Sequence, residues 1–198
     1  MLHQRRVVLR ELLRDPDQGV REAAAQALER LEAAMALKDV LQVLQNGRRG
    51  EQVRALMALE TIHSPRVFSP LLAALKHADA DLRCVALQVL GRKQHAKTLG
   101  HMVPCLKDPH PAVRVQAAEA LGHFQDRRLV PCLLAVLDDP DEQLVGQAAA
   151  SLGRIGAPEA HAPLLRLTGD ARPAVRRAAA RALGELSLGD GEEAPAAS

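Results

Sequence analysis

A chain of 198 residues can bury a core as one ordinary domain or two small ones, and here 47% of the residues are apolar although Trp and Tyr are absent and Phe occurs twice. Leu, Ala, Val and Arg dominate, so helix formers abound while strand-favouring aromatics are missing, and an all-α fold is expected. A net charge of +2 gives nucleic acid little electrostatic footing, three cysteines without a CxxC pair argue against a disulfide framework or zinc site, and no apolar run approaches the roughly 18 residues of a membrane span.

The opening MLHQRRVVLRELLRD lacks the long apolar run of a signal peptide, so a reduced, soluble, cytoplasmic protein is expected. Residues 2–14 read as an unpaired capping helix. From there one pattern recurs: DPDQGVREAAAQALERL (15–31), a weaker NGRRGEQVRALMALETI (46–62), HADADLRCVALQVLGRK (77–93), DPHPAVRVQAAEALGHF (108–124), DPDEQLVGQAAASLGRI (139–155) and DARPAVRRAAARALGEL (170–186). The central leucines are Leu28, Leu59, Leu90, Leu121, Leu152 and Leu183, always 31 residues apart. Four residues before each stands an alanine: Ala24, Ala55, Ala86, Ala117, Ala148 and Ala179. A small residue there lets neighbouring helices approach closely, and Gly91, Gly122, Gly153 and Gly184, just after the leucine, suit the same purpose.

Between the copies lies a second helical pattern, clearest in SPRVFSPLLAAL (64–75) and DRRLVPCLLAVL (126–137). Its apolar residues fall at i, i+3, i+4, i+7: Phe68, Leu71, Leu72, Leu75, then Val130, Leu133, Leu134, Leu137. Ser64-Pro65 has the form of an N-cap followed by proline at the first helical position. The second proline of this helix type (Pro70, Pro131 or Pro163, with Pro104 nearby) is expected to bend its first half. Each copy is therefore a helix hairpin, and hairpins at a fixed period stack into a solenoid because none can bury its apolar face alone. One domain is expected over 1–188, with GDGEEAPAAS (189–198) as a disordered acidic tail.

One residue breaks the amphipathic rule. Arg114 falls about 20° from Leu121 on an ideal helix, on the same face as Val113, Ala117, Ala120 and Phe124. A guanidinium on the buried side needs a carboxylate, or its desolvation goes uncompensated.

The run Asp-Pro-x-x-x-Val-Arg-x-x-Ala-Ala-x-Ala-Leu-Gly resembles HEAT repeats, specifically the short bacterial type first associated with phycobilin lyases, and it covers about residues 2–187. The resemblance implies a right-handed α-solenoid of about six HEAT-like hairpins with an N-terminal capping helix. The Val-Arg helices would line the concave side, beginning near residues 18, 49, 80, 111, 142 and 173. It also implies a ladder of loop aspartate and helix arginine. The matching pairs here are Asp15–Arg21, Asp108–Arg114 and Asp170–Arg176, with Arg83 beside Asp79 in the third copy. Copies two (Asn46, Gln52) and five (Asp139, Val145) depart from the motif, so the ladder is expected to be interrupted there. These residues are read as structural.

Catalysis finds little support. HEAT-like deoxyhypusine hydroxylases bind iron through His-Glu pairs, but no His-Glu dipeptide and no HExxH occurs, so no metal or cofactor is expected. Cys84, Cys105 and Cys132 lie within helices rather than at a helix start. NGRRGE (46–51) is a basic turn, not a phosphate loop, and HEAT-like DNA glycosylases would need aromatics to hold a base. The chain is expected not to be an enzyme.

A helical wheel instead turns four columns of the concave helices outward. They place Arg30, Val53, Arg54, Met57, Cys84, Val85, Gln88, Arg92, Val115, Gln116, Glu119, His123 and Arg154 on one face: an apolar patch with a basic rim. Such a patch marks a partner site. The expected partner is a helix or extended peptide of another protein, with a second copy of the chain as the alternative occupant. A phycobilin-lyase-like subunit is the competing enzymatic reading. Binding of a nucleic-acid backbone is disfavoured by Glu22, Glu119 and Glu185 in the same columns.

Overall fold

The structure is a computed structural model, and it describes residues 2–186. The acidic segment 189–198 lies outside the described residues. The α-helices in chain order are α1 (Leu2–Leu12), α2 (Gln18–Asn46), α3 (Arg49–Ala58), α4 (Phe68–Ala74), α5 (Ala80–Lys93), α6 (Leu99–Met102), α7 (Pro111–Gly122), α8 (Val130–Leu134), α9 (Glu142–Ile155), α10 (His161–Leu167) and α11 (Pro173–Glu185). The Val-Arg helices start at residues 18, 49, 80, 111, 142 and 173, where the repeat register puts them. The reason is local. Asp17, Asp79 and Asp141 accept backbone N–H bonds as N-caps, while Pro111 and Pro173 open their helices where no N–H is needed.

Contacts divide the chain into two compact units, residues 1–73 and 74–198, although the repeat period runs through without a break. In the first unit α1 and α3 both pack on α2. In the second, α5 packs on α7, α7 on α9 and α9 on α11, with α8 and α10 supporting α9 and α11. The fold is an all-α solenoid of sequentially packed helices. All six register alanines are buried, as are Leu59, Leu90, Leu121 and Leu152; Leu28 and Leu183, in the terminal copies, are half-buried. Each fully buried leucine contributes about 1.5–3 kcal/mol.

The glycine column is a packing requirement. A Cβ on Gly91 would lie 2.9 Å from Ala120 Cα, and one on Gly153 2.7 Å from Ala182 Cα, both backbone atoms of the next repeat. A Cβ on Gly122 would collide with Ser151. Gly184, in the last copy, has no atom of the described residues within 4 Å.

The proline-bearing helices differ from a bent α-helix. Each begins as a 3₁₀ turn (Pro65–Val67, Ala96–Thr98, Arg127–Leu129, Pro158–Ala160) and passes into a short α segment. Pro70, Pro131 and Pro163 sit within the first turn of α4, α8 and α10, where the missing N–H costs nothing. Pro104 instead lies in a second 3₁₀ segment, Val103–Lys107, following α6.

Copy one departs further, because its expected hairpin is a single helix. α2 runs 29 residues from Gln18 to Asn46. In copies three, four and five a left-handed residue stands four past the leucine, at or just beyond the helix end: Gln94 (φ 48°), Gln125 (φ 49°) and Gly156 (φ 67°). Copy one has Glu32 there, Glu29 in place of the register glycine, and Ala34 where copies two and five have Pro65 and Pro158. Nothing in the stretch 29–46 stops a helix, and Gly47 is the first residue that does. Glu32 meanwhile ties α1 to α2, accepting from Arg6 Nε and Arg10 Nη2 at 3.2 Å each.

Candidate binding face

The motif arginines come first, since they decide which polar residues are spoken for. Each caps the loop that precedes its own helix. Arg21 Nη1 donates to the carbonyls of Asp15 and Pro16, Arg83 Nη1 to those of His77 and Ala78, and Arg176 Nη1 to those of Asp170 and Ala171, all at 2.7–2.9 Å. Arg114 Nη1 does the same to Asp108 at 3.1 Å. The bond to the loop aspartate is therefore to its backbone, not its carboxylate, which corrects the pairing implied by the motif. Two motif arginines also reach a carboxylate of the following copy. Asp108 takes a bidentate pair from Arg83 Nε and Nη2 at 2.8 Å, and Asp141 accepts from Arg114 Nη2 at 3.3 Å.

The aspartates have a second task. Asp15, Asp108, Asp139 and Asp170 each accept the backbone N–H two residues on, at 2.8–2.9 Å, closing the turn into the next helix. His77 Nδ1 accepts the Asp79 N–H at 3.0 Å in the same way, which explains histidine at that position.

Where the motif lapses, in copies two and five, the helix carries no motif arginine and other donors cap the loop. In copy two Gln52 Nε2 donates to the Leu44 carbonyl at 2.9 Å. In copy five Val145 is fully buried and cannot donate, and Arg172 of the next copy reaches back to the carbonyls of Asp139 (2.9 Å) and Pro140 (3.2 Å). Arg172 is steadied by Asp170, whose carboxyl is drawn down to about 2 by hydrogen bonds from the Arg172 side chain and backbone. Position-by-position reading misses this replacement because its donor lies one repeat away.

The outward columns are narrower than a wheel suggests. Each inner helix of the second unit is flanked by its neighbours, which cover the sides of the outward arc. Arg92 is exposed, whereas Cys84, Val85, Gln88, Val115, Gln116, Glu119, His123 and Arg154 are half-buried. In the first unit Arg30, Arg54 and Met57 are exposed and Val53 is half-buried. The expected continuous patch thus has members in both units.

Burial pushes the thiols of Cys84 and Cys105 above their ordinary value, with Asp81 and Asp108 adding to the effect, so neither is an activated nucleophile. Among the described residues no three His, Cys, Asp or Glu side chains converge as metal ligands. No helix among them is long and apolar enough to cross a membrane.

Two grooves lie beside α2 in the first unit, and no local spacing announced them. One, about 670 Å³, lies along α2 and α3 between Val40, Val43, Glu51 and Arg54. The other, about 540 Å³, lies between α2 and α4 at Leu37, Leu41, Arg66 and Pro70.

A family model described as HEAT repeats matches residues 68–152 and 130–197, and a second, HEAT repeat, matches residues 8–35. The chain belongs to the HEAT-repeat family. Among solved structures, this HEAT-repeat chain is similar to the complex of CpcE and CpcF of phycocyanin lyase from Nostoc sp., at 26% identity and a TM-score of 0.66 over 78% of this chain. It spans 65% of the length of that chain. An engineered protein shares the fold at 18% identity, with a TM-score of 0.56 over 92% of this chain and 96% of the other. No curated protein matches the chain.

Proposed function

We propose that this HEAT-repeat protein is a non-enzymatic scaffold that holds a helical or extended segment of another protein against the outward strip of α5, α7 and α9. The observation that carries this reading is the division of labour among polar groups. The motif arginines and aspartates are consumed by loop capping and inter-repeat pairs, whereas Gln88, Val115 and Gln116, half-buried along the same strip, belong to none of those bonds. Mixed apolar and polar side chains with an arginine rim suit a partner surface. A double variant, Gln88→Glu with Val115→Glu, is expected to keep its melting temperature within a few degrees and to lose the partners that the parent chain retains from lysate. Unchanged recovery by the folded variant overturns the assignment.

The likeness to a phycocyanin lyase complex favours a second reading, in which the chain is one subunit acting on a chromophore-bearing protein. Mixing the purified chain with a bilin separates the two. A scaffold leaves the absorbance spectrum unchanged, and a lyase-like subunit shifts it.

A further inference from the structure

Two residues past the central leucine, a row crosses three helices that pack in sequence: Arg92 near the end of α5, His123 at the C-cap of α7 and Arg154 in the last turn of α9. Its middle is firmly built. Arg154 Nη2 donates to Ser151 Oγ at 2.9 Å, and Ser151, itself fully buried, donates to the Ala118 carbonyl at 2.7 Å. Arg154 Nη1 stands 3.4 Å from His123 Nδ1, while the Gln94 side chain donates to the His123 carbonyl.

Arg154 is half-buried, yet its hydrogen-bonding partners are neutral: a hydroxyl and an imidazole. Arg83, on α5, carries a bidentate carboxylate. Carbonyls at the helix ends stabilise cations there, which lets Arg154 stand without an acid of its own. The charged groups facing His123 are Arg154 from α9, Glu119 from its own helix and Arg92 from α5. Burial first, then Arg154, hold the imidazole below its ordinary value, so it is neutral at pH 7 and its Nδ1 can accept from Arg154.

We propose that this row is a carboxylate-binding subsite for acidic side chains on an extended segment of the partner protein. The inference rests on the scaffold reading and specifies the partner's chemistry. A carboxylate between Arg154 and His123 would accept from the guanidinium and from Nε2–H, the charge-assisted pairing that Arg154 lacks. Adjacent helices stand about 8–10 Å apart, and a segment extended as polyproline II advances about 9 Å per three-residue turn, which returns every third side chain to the same face. An acid at every third position therefore matches the row. The incoming negative charge reverses the field at His123, so binding takes up a proton and tightens as pH falls.

The test uses the full chain and a fluorescent peptide with glutamate at every third position and glycine between, with a glutamine version as control. At low salt the glutamate peptide is expected to bind, and the control is not. Affinity should rise about fivefold from pH 8 to pH 6, and the His123 ring resonance should titrate about one unit higher in the saturated complex. Arg154→Gln should weaken binding about tenfold. Arg92→Gln, on an exposed residue that leaves the Ser151 contact intact, should weaken it less. A His123 titration unmoved by saturating peptide, or wild-type affinity in a folded Arg154→Gln variant, overturns the proposal. Tighter binding of single-stranded oligothymidylate with the same arginine dependence overturns the choice of occupant. Failure of the peptide alongside partner capture that still depends on Gln88 and Val115 removes this subsite and leaves the scaffold standing.

Discussion

At the scale of the residue, a guanidinium serves two kinds of acceptor at once. Arg83 caps two loop carbonyls with Nη1 and grips Asp108 with Nε and Nη2, while only 11% of its side chain and 9% of that of Asp108 remain exposed. Removing it strands a buried carboxylate as well as two carbonyls. Arg83→Ala is expected to lower stability by about 3 kcal/mol, measured by denaturant unfolding with an unchanged slope. Burial pushes the Asp108 carboxyl up, but the hydrogen bonds from Arg83 and the His110 N–H outweigh it and leave it below the ordinary carboxylate value. Its contribution is therefore complete above the unfolded value near pH 4 and is lost as pH falls further. The stability gap between the parent and Asp108→Asn should narrow in that acid range and stay constant from pH 5 to 7.

At the scale of the element, small residues and helix stops decide how closely copies stack. Gly→Ala inside a helix ordinarily stabilises by about 1 kcal/mol. At Gly153 the new methyl would meet the Ala182 backbone, so Gly153→Ala is expected to lose about 1–3 kcal/mol. At Gly184, where no described residue comes within 4 Å of the new methyl, the same change should gain up to about 1 kcal/mol. Opposite signs for one chemical change separate packing from propensity, and thermal melts of the two variants read them directly. The continuity of α2 is tested by Ala34→Pro. Proline is native at the equivalent positions of copies two and five, yet in mid-helix it removes a hydrogen bond and clashes with the preceding turn. A loss of about 3 kcal/mol is expected, and a neutral result would mean that copy one is a hairpin after all.

At the scale of the whole molecule, stability is distributed unevenly along the chain. Most of the largest fully buried side chains, from Leu87 to Leu164, belong to the second unit, whereas α1 buries no residue and leaves Leu2, Val7 and Val8 exposed. Local opening follows buried contact, so amide hydrogen exchange should be slowest in α5, α7 and α9 and fastest in α1. Uniform protection across both units would contradict this. The same gradient places the proposed carboxylate row on the most rigid helices, where a binding group is held in position at little entropic cost.

The family, the helix starts and the buried columns were legible in the sequence, because a fixed 31-residue register forces the same alanine and leucine into the same environment in every copy. The proline turns and aspartate caps act within a few residues, so their spacing carries them too. Other features were decided only by the tertiary structure. The Arg83–Asp108 pair and the replacement of a missing arginine by Arg172 join residues 25 and 33 positions apart, and no local spacing encodes a bond between repeats. The fusion of copy one into a single helix, by contrast, follows from its own residues, where every stop signal is absent at once. Arg154 also looks like any surface arginine until the fold half-buries it against Ser151 and His123 without a carboxylate. Sequence periodicity specifies what each residue repeats, and only packing specifies what it touches.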